Sequence, residues 1–333
     1  MAGRIGAARV GAAVCGALAA LAAACSPAPT AELARASRAA GGAWLVPWGA
    51  GPGAVGRREA QPERRGESVA AVAVGPDGAV FVLDQLNRRV VRLDEPGRPP
   101  ARVAAAPADA ADLAVGPDGA LAVYSPLQAR VWVHGGADVA EMAVPRVLRE
   151  ARGVALGASR QVRVLTAYQE TYGLGSPAAP QSLPAVLAGK REGEAFLPDG
   201  RGVAVVRRPD GRVEVVLRAA GERAPVTARL PLPGAALGGR VIGTAGSVVC
   251  VRLEESAAAP APAFAVTRRV ACVDAATGAV VLEHPLGAPG DFVPAREAAV
   301  GGTPARLAVI RPERDGLRVE RLPLAAGAHE VAP

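Results

Sequence analysis

The sequence predicts an all-β fold, a six-bladed β-propeller of four-stranded blades closed by an N-terminal strand in the last blade. The first observation is a repeated turn, Gly-Pro-Asp-Gly, at residues 75–78 and 116–119. Related turns begin at Gly157 and Leu197, so that the first four copies are 41, 41 and 40 residues apart. Weaker copies follow at Gly243 and Gly301. Six units of about 40 residues are typical of propellers.

The second observation is the pattern of residues within each unit. Proline presets the backbone for a turn, and the final glycine takes the left-handed conformation that lets the next strand return. Alternating apolar residues flank each turn and predict strands. Fourth strands are expected at residues 142–147, 226–232 and 280–285, and each contains proline. Since proline cannot donate a ladder hydrogen bond, these strands should lie at the outer edge of each blade.

The third observation is an unequal number of strands at the two chain ends. The sixth unit provides strands near residues 298–301, 305–311 and 316–323 but lacks a fourth. An isolated strand with an internal proline occurs at residues 44–48. We therefore expect residues 44–48 to complete the sixth blade beside residues 317–323.

Composition supports this fold class and excludes some functions. The chain has 333 residues, of which 40 are Gly and 30 are Pro, and this content argues against a mostly helical protein. The net charge is +7, Lys190 is the single lysine, and ten residues are aromatic. A dedicated nucleic-acid binder would have more basic charge and more aromatic stacking surfaces.

The N-terminal residues predict that the protein is located in the cell envelope. Arg4 and Arg9 precede an apolar run at residues 10–24, which is too short to span a bilayer and fits a signal peptide. The residues before Cys25 resemble a bacterial lipobox, which implies cleavage and lipidation of Cys25. The alternative is an ordinary secretory signal cleaved near Ala24. Ser26 after the cysteine suggests the outer membrane, facing the periplasm; a secreted or soluble periplasmic protein is the alternative.

This interpretation divides the chain into four parts. Residues 1–24 form the signal peptide, 25–42 a flexible tether, 43–325 the propeller and 326–333 a C-terminal tail. The tether assignment follows from small and polar residues without a core-forming pattern. We expect a monomer that meets the membrane only through its N-terminal lipid.

One blade carries a family resemblance. Asp84, Asn87 and Arg89 stand between two apolar strands. This arrangement resembles the strand–Asp–x–x–Asn–basic–Arg–strand motif of NHL-type six-bladed propellers. The close match covers one blade, because the second unit keeps the shape but lacks the Asp and Asn. Asp84 and Asn87 are expected to stabilise a turn between strands.

Two cysteines are expected to face each other in a hairpin. Cys250 and Cys272 lie on adjacent predicted strands, and the register that pairs them also places Glu254 opposite Arg268. Cysteines directly across a strand pair can form a disulfide, which an oxidising periplasm would favour. The alternative is two buried free thiols.

No convincing catalytic, metal or cofactor site is evident in the sequence. The three histidines, His134, His284 and His329, have no second ligand at metal-binding spacing. Residues 51–56 match G-x-G-x-x-G, but the residues that follow have no helical periodicity, so a dinucleotide site is not expected. We therefore predict no catalytic residue, no metal and no cofactor.

The function expected from this sequence is non-catalytic binding. Loops between blades and between second and third strands share one face of a propeller, and here they contain many arginines. We predict that the chain is a binding or scaffold module for a protein or an anionic envelope ligand, and this face holds the candidate contact residues. Because glutamates are interleaved with the arginines, a solvated rim of mixed charge is the favoured interpretation of the face itself. The alternative function is a lactonase-like hydrolase or lyase that uses polar pore residues, with or without a divalent metal. The predicted ligand or partner residues are Arg57, Arg58, Arg64, Arg65, Gln85, Asn87, Arg88, Tyr168, Tyr172, Arg191, Arg208 and Phe264.

Overall fold

The computed structural model describes residues 42–324 except 64, 149, 220–225, 258–264, 289–291 and 293. The expected signal peptide, Cys25, nearly all of the tether and the C-terminal tail lie outside the described residues, as do Arg64 and Phe264. Within the described part, no helix is long and apolar enough to cross a membrane.

The chain forms six four-stranded antiparallel sheets arranged as the blades of a propeller, which confirms the predicted fold class. The first strand, β1 (Gly42–Pro47), belongs to blade 6. Blade 1 contains β2 (Ala71–Val74), β3 (Val80–Asp84), β4 (Arg89–Leu93) and β5 (Ala101–Ala105). Blade 2 contains β6 (Asp112–Val115), β7 (Leu121–Ser125), β8 (Arg130–Gly135) and β9 (Asp138–Ala143). Blade 3 contains β10 (Ala151–Leu156), β11 (Val162–Thr166), β12 (Glu170–Ser176) and β13 (Ala179–Pro180).

The remaining strands complete the ring. The short helix α1 (Leu183–Ala188) follows blade 3, and β14 (Arg191–Glu192) pairs with β12. Blade 4 contains β15 (Ala195–Phe196), β16 (Gly202–Arg207), β17 (Arg212–Arg218) and β18 (Val226–Ala235). Blade 5 contains β19 (Gly238–Ala245), β20 (Val248–Ala257), β21 (Ala265–Asp274) and β22 (Val280–Gly287). Blade 6 contains β23 (Ala298–Gly301), β24 (Arg306–Pro312) and β25 (Gly316–Pro323), followed by β1 at its outer edge.

The repeated turns connect the first and second strands of a blade. In blade 1, the Gly75 amide donates to the Ala79 carbonyl and the Gly78 amide donates to the Gly75 carbonyl. Gly78 and Gly119 have a φ of +79°, which explains the glycine at the end of each copy. The first strands surround a central channel, and the turns mark one end of it.

The N-terminal strand closes the ring as the strand count predicts. Gly42 pairs with Arg321 and Pro47 pairs with Gly316, which makes β1 the outer strand of blade 6. Prolines occur on other outer strands too, for example Pro180 and Pro285. These positions need no ladder donor on the solvent side.

Two predicted segments have different boundaries in the structure. The outer strand of blade 2 is Asp138–Ala143 and not 142–147, because Gly136, at a φ of +74°, lets the chain reverse directly after β8. The segment 168–184, for which the sequence predicts no strand, contains both outer strands of blade 3, β12 and β13. Its two interior glycines interrupt the alternation that would have marked a strand.

The inter-strand register of blade 5 matches the register expected from the sequence. Cys250 lies opposite Cys272, and Glu254 lies opposite Arg268. The two cysteines are fully buried and joined by a disulfide, with a Cα–Cα distance of 4.0 Å. The bond joins the two central strands of blade 5 within the apolar layer between blades 5 and 6.

Candidate functional site

The loop face, defined here as the face with the connections between blades and between second and third strands, contains most of the predicted binding residues that the structure describes. Several of them are structural. The Asp84 carboxylate is fully buried and accepts hydrogen bonds from the Gly56 amide at 2.9 Å and from the Asn87 side chain at 2.7 Å. Asn87 also donates to the Gly49 carbonyl, and Gln85 donates to the Ser68 carbonyl. The NHL-like motif therefore fixes the loop that leads from β1 into blade 1.

Arg89 completes this structural cluster. Its Nε is 3.0 Å from Asp84, and its guanidinium also donates to the carbonyls of Gly51 and Ala54. The segment 51–56 that matches G-x-G-x-x-G is thus a turn clamped by Arg89, and no helix follows it.

Other predicted arginines already have partners. Arg57 donates to the carbonyls of Glu313 and Arg314, and its guanidinium carbon lies 4.6 Å from the centre of the Phe292 ring. Arg58 pairs with Glu67 at 2.7 Å, and Arg208 pairs with Glu214 at 2.9 Å. These contacts fit a solvated rim of mixed charge better than they fit a basic binding surface.

Only part of the predicted set is well exposed. Arg65, Arg88 and Tyr168 are exposed, the last with 69% of its surface accessible, as are the paired Arg58 and Arg208. Tyr172 was expected on the surface, and that prediction is wrong: it is buried between blades 2 and 3, and its hydroxyl is 2.8 Å from Glu170. Tyr172 lies on a strand, and alternation directs its ring into the core. The guanidinium carbon of Arg191 lies 3.9 Å from the centre of the Phe196 ring.

The central channel contains a group of charged residues that the sequence analysis did not select. A cavity of about 320 Å³ is lined by the inner strands of all six blades. Five charged residues, each within three positions of the start of one of these strands, lie at its loop-face end. We call this group the channel mouth; it consists of Asp112, Arg152, Glu194, Arg240 and Arg296.

Arg296 and Asp112 form an ion pair across the channel mouth. The Arg296 backbone pairs with β2 in blade 1, whereas its guanidinium lies 2.6 Å from Asp112 in blade 2. The same guanidinium donates to the carbonyls of Leu113 and Val154. Asp112 is buried and also accepts the Val154 amide at 2.7 Å. A Cβ on Gly153 would lie 2.8 Å from the Asp112 carboxylate, so glycine at this position makes room for the pair.

Arg152 and Arg240 have free hydrogen-bonding capacity. Arg152 is the extra residue of a β-bulge between β10 and β11, a feature that re-aims side chains in sheets. It is exposed and makes no hydrogen bond or ion pair with any residue that the structure describes. Arg240 donates to the Ala295 carbonyl at 3.1 Å, its one hydrogen bond within the described part of the chain. Most of the ten N–H donors of these two guanidiniums are thus available to a ligand.

Electrostatics at the channel mouth favour an anion. Burial, followed by repulsion from Arg252 and Arg296, lowers the pKa of Arg240. Burial raises the pKa of Glu194, while a hydrogen bond from the Val241 amide and the nearby arginines oppose the rise. Three guanidiniums face two carboxylates here, and one carboxylate is already bound to Arg296. An incoming anion would reduce the repulsion and occupy the free donors.

Side chains of the types that ligate metals are dispersed among the described residues. No group of three or more His, Cys, Asp or Glu side chains among the described residues is arranged to hold a metal ion. His134 and His284 are both buried. His329 lies outside the described residues.

A sequence signal for the channel mouth exists but is weak. In five units, a charged residue interrupts the apolar inner strand three to five positions before the turn, as at Asp112 before Gly116 and Arg296 before Gly301. No single unit is unusual, and the pattern is visible only after the six copies are aligned and their first strands are assigned to the channel.

Comparisons with known proteins identify structural neighbours only. No protein-family model matches the chain, and no curated protein matches it. A solved structure of a protein of unknown function from Bacteroides thetaiotaomicron is similar over 84% of this chain and 75% of its own, with 11% identity and a TM-score of 0.47. Hydrazine synthase from Kuenenia stuttgartiensis matches over 73% of this chain and 76% of its own, with 14% identity and a TM-score of 0.43. Virginiamycin B lyase from Staphylococcus aureus matches over 79% of this chain and 86% of its own, with 10% identity and a TM-score of 0.38.

Proposed function

We propose that this protein is a non-catalytic binding module of the cell envelope that captures an anionic ligand at its channel mouth. The observation that carries the proposal is the free donor capacity of Arg152 and Arg240 beside a channel cavity. Arginine recognises carboxylates and oxyanions through paired N–H donors. This proposal moves the binding site from the loop-face arginines, many of which are already paired, to the channel.

Binding of inorganic sulfate tests this function directly. We expect isothermal titration calorimetry at low ionic strength to show one site, and the double variant Arg152→Gln/Arg240→Gln to weaken binding at least tenfold. The matched control is Arg98→Gln/Arg102→Gln, which removes the same charge from exposed positions at the outer edge of blade 1. Equal losses in both variants would mean that sulfate responds to net charge only and would contradict a channel site.

The envelope location is a separate part of the proposal. The lipobox-like residues before Cys25 support a lipid anchor. Cells expressing the chain should incorporate labelled palmitate into it. The variant Cys25→Ala should lose the label and leave the membrane fraction. Retention of the label in this variant would contradict lipidation at Cys25.

Acid–base catalysis in the same cavity is a second candidate function, favoured by Glu194. A partly buried carboxyl group with a raised pKa beside arginines is a feature of catalytic sites. Turnover of an ester or lactone that the variant Glu194→Gln abolishes, with sulfate binding retained, would favour this hydrolase or lyase alternative over pure binding.

A further inference from the structure

The junction between blades 3 and 4 is built differently from the others. Buried apolar clusters lie between blades 1 and 2, 2 and 3, 4 and 5, 5 and 6, and 6 and 1. Within the described residues no such cluster lies between blades 3 and 4. Blade 4 also has the shortest inner strand of the ring, since β15 contains two residues. The inner part of this junction therefore lacks the packing that closes the rest of the ring.

The sequence of blade 3 explains the missing cluster. In the β11–β12 register, Val164 pairs with Tyr172, and both side chains pack toward blade 2. The opposite face, toward blade 4, presents Arg163, Leu165, Thr171 and Gly173. We call this face with its surroundings the seam. A Cβ on Gly173 would meet only the Gln181 side chain, at 3.9 Å, so the seam has room at this point.

Polar contacts hold the seam together. Gln169 donates to the Val205 carbonyl at 3.0 Å, and Thr171 donates to the Gly193 carbonyl at 2.7 Å. Arg218 of blade 4 pairs with Glu192 at 3.2 Å. These contacts close the outer part of the junction and leave its inner part in continuity with the channel.

The channel cavity extends into the seam. Besides the charged channel mouth, Leu165, Thr171 and Phe196 line the same cavity, as do apolar inner-strand residues such as Ile242. Leu165, Phe196 and Ile242 are only partly buried. Arg163 also lines the cavity, and its guanidinium carbon lies 5.5 Å from the centre of the Phe196 ring. The cavity thus joins the guanidinium end to a wall of apolar side chains that carries this one further arginine. Its volume of about 320 Å³ is at the lower end of the range for small-molecule sites and too small for a folded partner.

We infer that the ligand is a small organic acid with an apolar body, whose carboxylate binds Arg152 and Arg240 and whose body lies in the seam against Leu165 and Phe196. This inference rests on the anion-binding function proposed above and narrows its ligand class. An apolar body would supply to the seam the contacts that apolar side chains supply at the other five junctions. Binding should therefore also stabilise the ring against unfolding.

A chain-length series tests the inference. The full chain is titrated at pH 7.5 with butyrate, hexanoate and octanoate, and with octanol and inorganic sulfate as references. Each buried methylene should strengthen binding up to about fourfold, so octanoate should bind at least tenfold more tightly than butyrate. Octanol, which lacks the carboxylate, should bind more weakly than octanoate. The midpoint of thermal unfolding should rise with octanoate more than with butyrate at equal concentration.

Variants separate the head site from the seam. Leu165→Asn should weaken octanoate binding at least fivefold and leave sulfate binding unchanged, and the retained sulfate site also shows that the variant folds. Leu127→Asn, at a side chain that is 86% exposed, is the matched control and should change neither affinity. Arg240→Gln should weaken both ligands.

The possible failures are distinguishable. Sulfate binding that depends on Arg152 and Arg240, together with equal affinities for butyrate and octanoate, would overturn the inference and leave the proposed function standing. The same holds for an octanoate affinity that Leu165→Asn does not change, or for octanol binding as tightly as octanoate. Failure of every anion to bind would overturn both.

Discussion

At the scale of single residues, the buried carboxylate of Asp84 organises the entry loop of the propeller. It receives hydrogen bonds from Gly56, Asn87 and Arg89, which come from both the loop and blade 1. Asp84→Asn should lower the free energy of unfolding by about 3 kcal/mol, because it leaves the buried Arg89 without its counter-charge. Urea unfolding measures this change. Asp94→Asn, which removes a partly exposed partner of Arg92, is the control and should change stability by less than about 0.5 kcal/mol.

The charge state of Glu194 should control how anion binding depends on pH. Burial raises its pKa, and Arg152, Arg240 and Arg252 oppose this rise. Above that pKa, the Glu194 carboxylate competes with a bound anion, and below it the neutral acid does not. Burial also raises the pKa of Asp112, the other carboxylate of the channel mouth, and its ion pair with Arg296 opposes that rise.

Sulfate affinity should therefore increase about fivefold as the pH falls through the pKa of Glu194, since the repulsion between two screened charges is of the order of 1 kcal/mol. Calorimetric titrations between pH 4.5 and 8 would show the change, because sulfate keeps its charge in this range. Glu194→Gln should bind with the higher affinity throughout. A pH profile that this variant does not flatten would contradict the role of Glu194.

At the scale of secondary-structure elements, Glu320 links the closing blade to its neighbour. It lies on β25, paired with Ala43 of β1, and its carboxylate is 2.8 Å from Arg318 and 3.3 Å from His284 of blade 5. The contact with His284, followed by the hydrogen bond from Arg318, lowers the pKa of Glu320 to about 2 although burial opposes this. A carboxyl group with a depressed pKa stabilises the fold above its unfolded pKa of about 4.5, and this contribution is lost as the pH falls toward 2.

Glu320→Gln should therefore reduce stability at pH 7 by about 1–2 kcal/mol, after allowance for solvent screening, and by much less at pH 2. Denaturant unfolding at both pH values would measure the difference. Glu141→Gln, which removes an exposed partner of Arg130 in blade 2, should show no comparable loss. A loss of the same size at pH 2 and pH 7 would mean that the variant acts through packing and not through charge.

The disulfide of blade 5 is a second link between secondary-structure elements. Cys250 and Cys272 are 22 residues apart and join the two long central strands β20 and β21. The variant Cys250→Ala/Cys272→Ala should lower the free energy of unfolding by about 3 kcal/mol, because the unfolded chain loses a cross-link over a loop of this length. Wild-type protein under reducing conditions should approach the variant. An unchanged unfolding midpoint would contradict this stabilising role.

At the scale of the whole molecule, the repeat and the strand count were sufficient to predict the ring and its closure. Each turn contains its own local signal in Pro76, Asp77 and Gly78, and β1 is conspicuous because it has no partner nearby in sequence. Local signals failed where the result depends on other blades. The alternation around Tyr172 is interrupted by glycines, and its burial depends on the packing of blade 3 against blade 2.

The channel mouth could not be predicted in this way. Arg296 meets Asp112 across 184 positions of sequence, and Arg152 faces the channel because a bulge displaces it from the β11 register. Neither fact follows from a spacing within one unit. The sequence favoured arginines in predicted loops as ligand contacts. In the structure, Arg57, Arg58 and Arg208 are bound to other parts of the protein. Six separate strands must be placed around one axis before the free guanidiniums can be recognised as a site.

The most direct test of anion capture in the channel is anomalous diffraction from crystals grown with selenate, a sulfate analogue that carries its own scatterer. We predict a selenium peak in the channel, within hydrogen-bonding distance of the Arg152 and Arg240 guanidiniums, and its disappearance in Arg152→Gln/Arg240→Gln crystals. Peaks confined to surface arginines such as Arg65 and Arg88, with an empty channel mouth, would contradict the account.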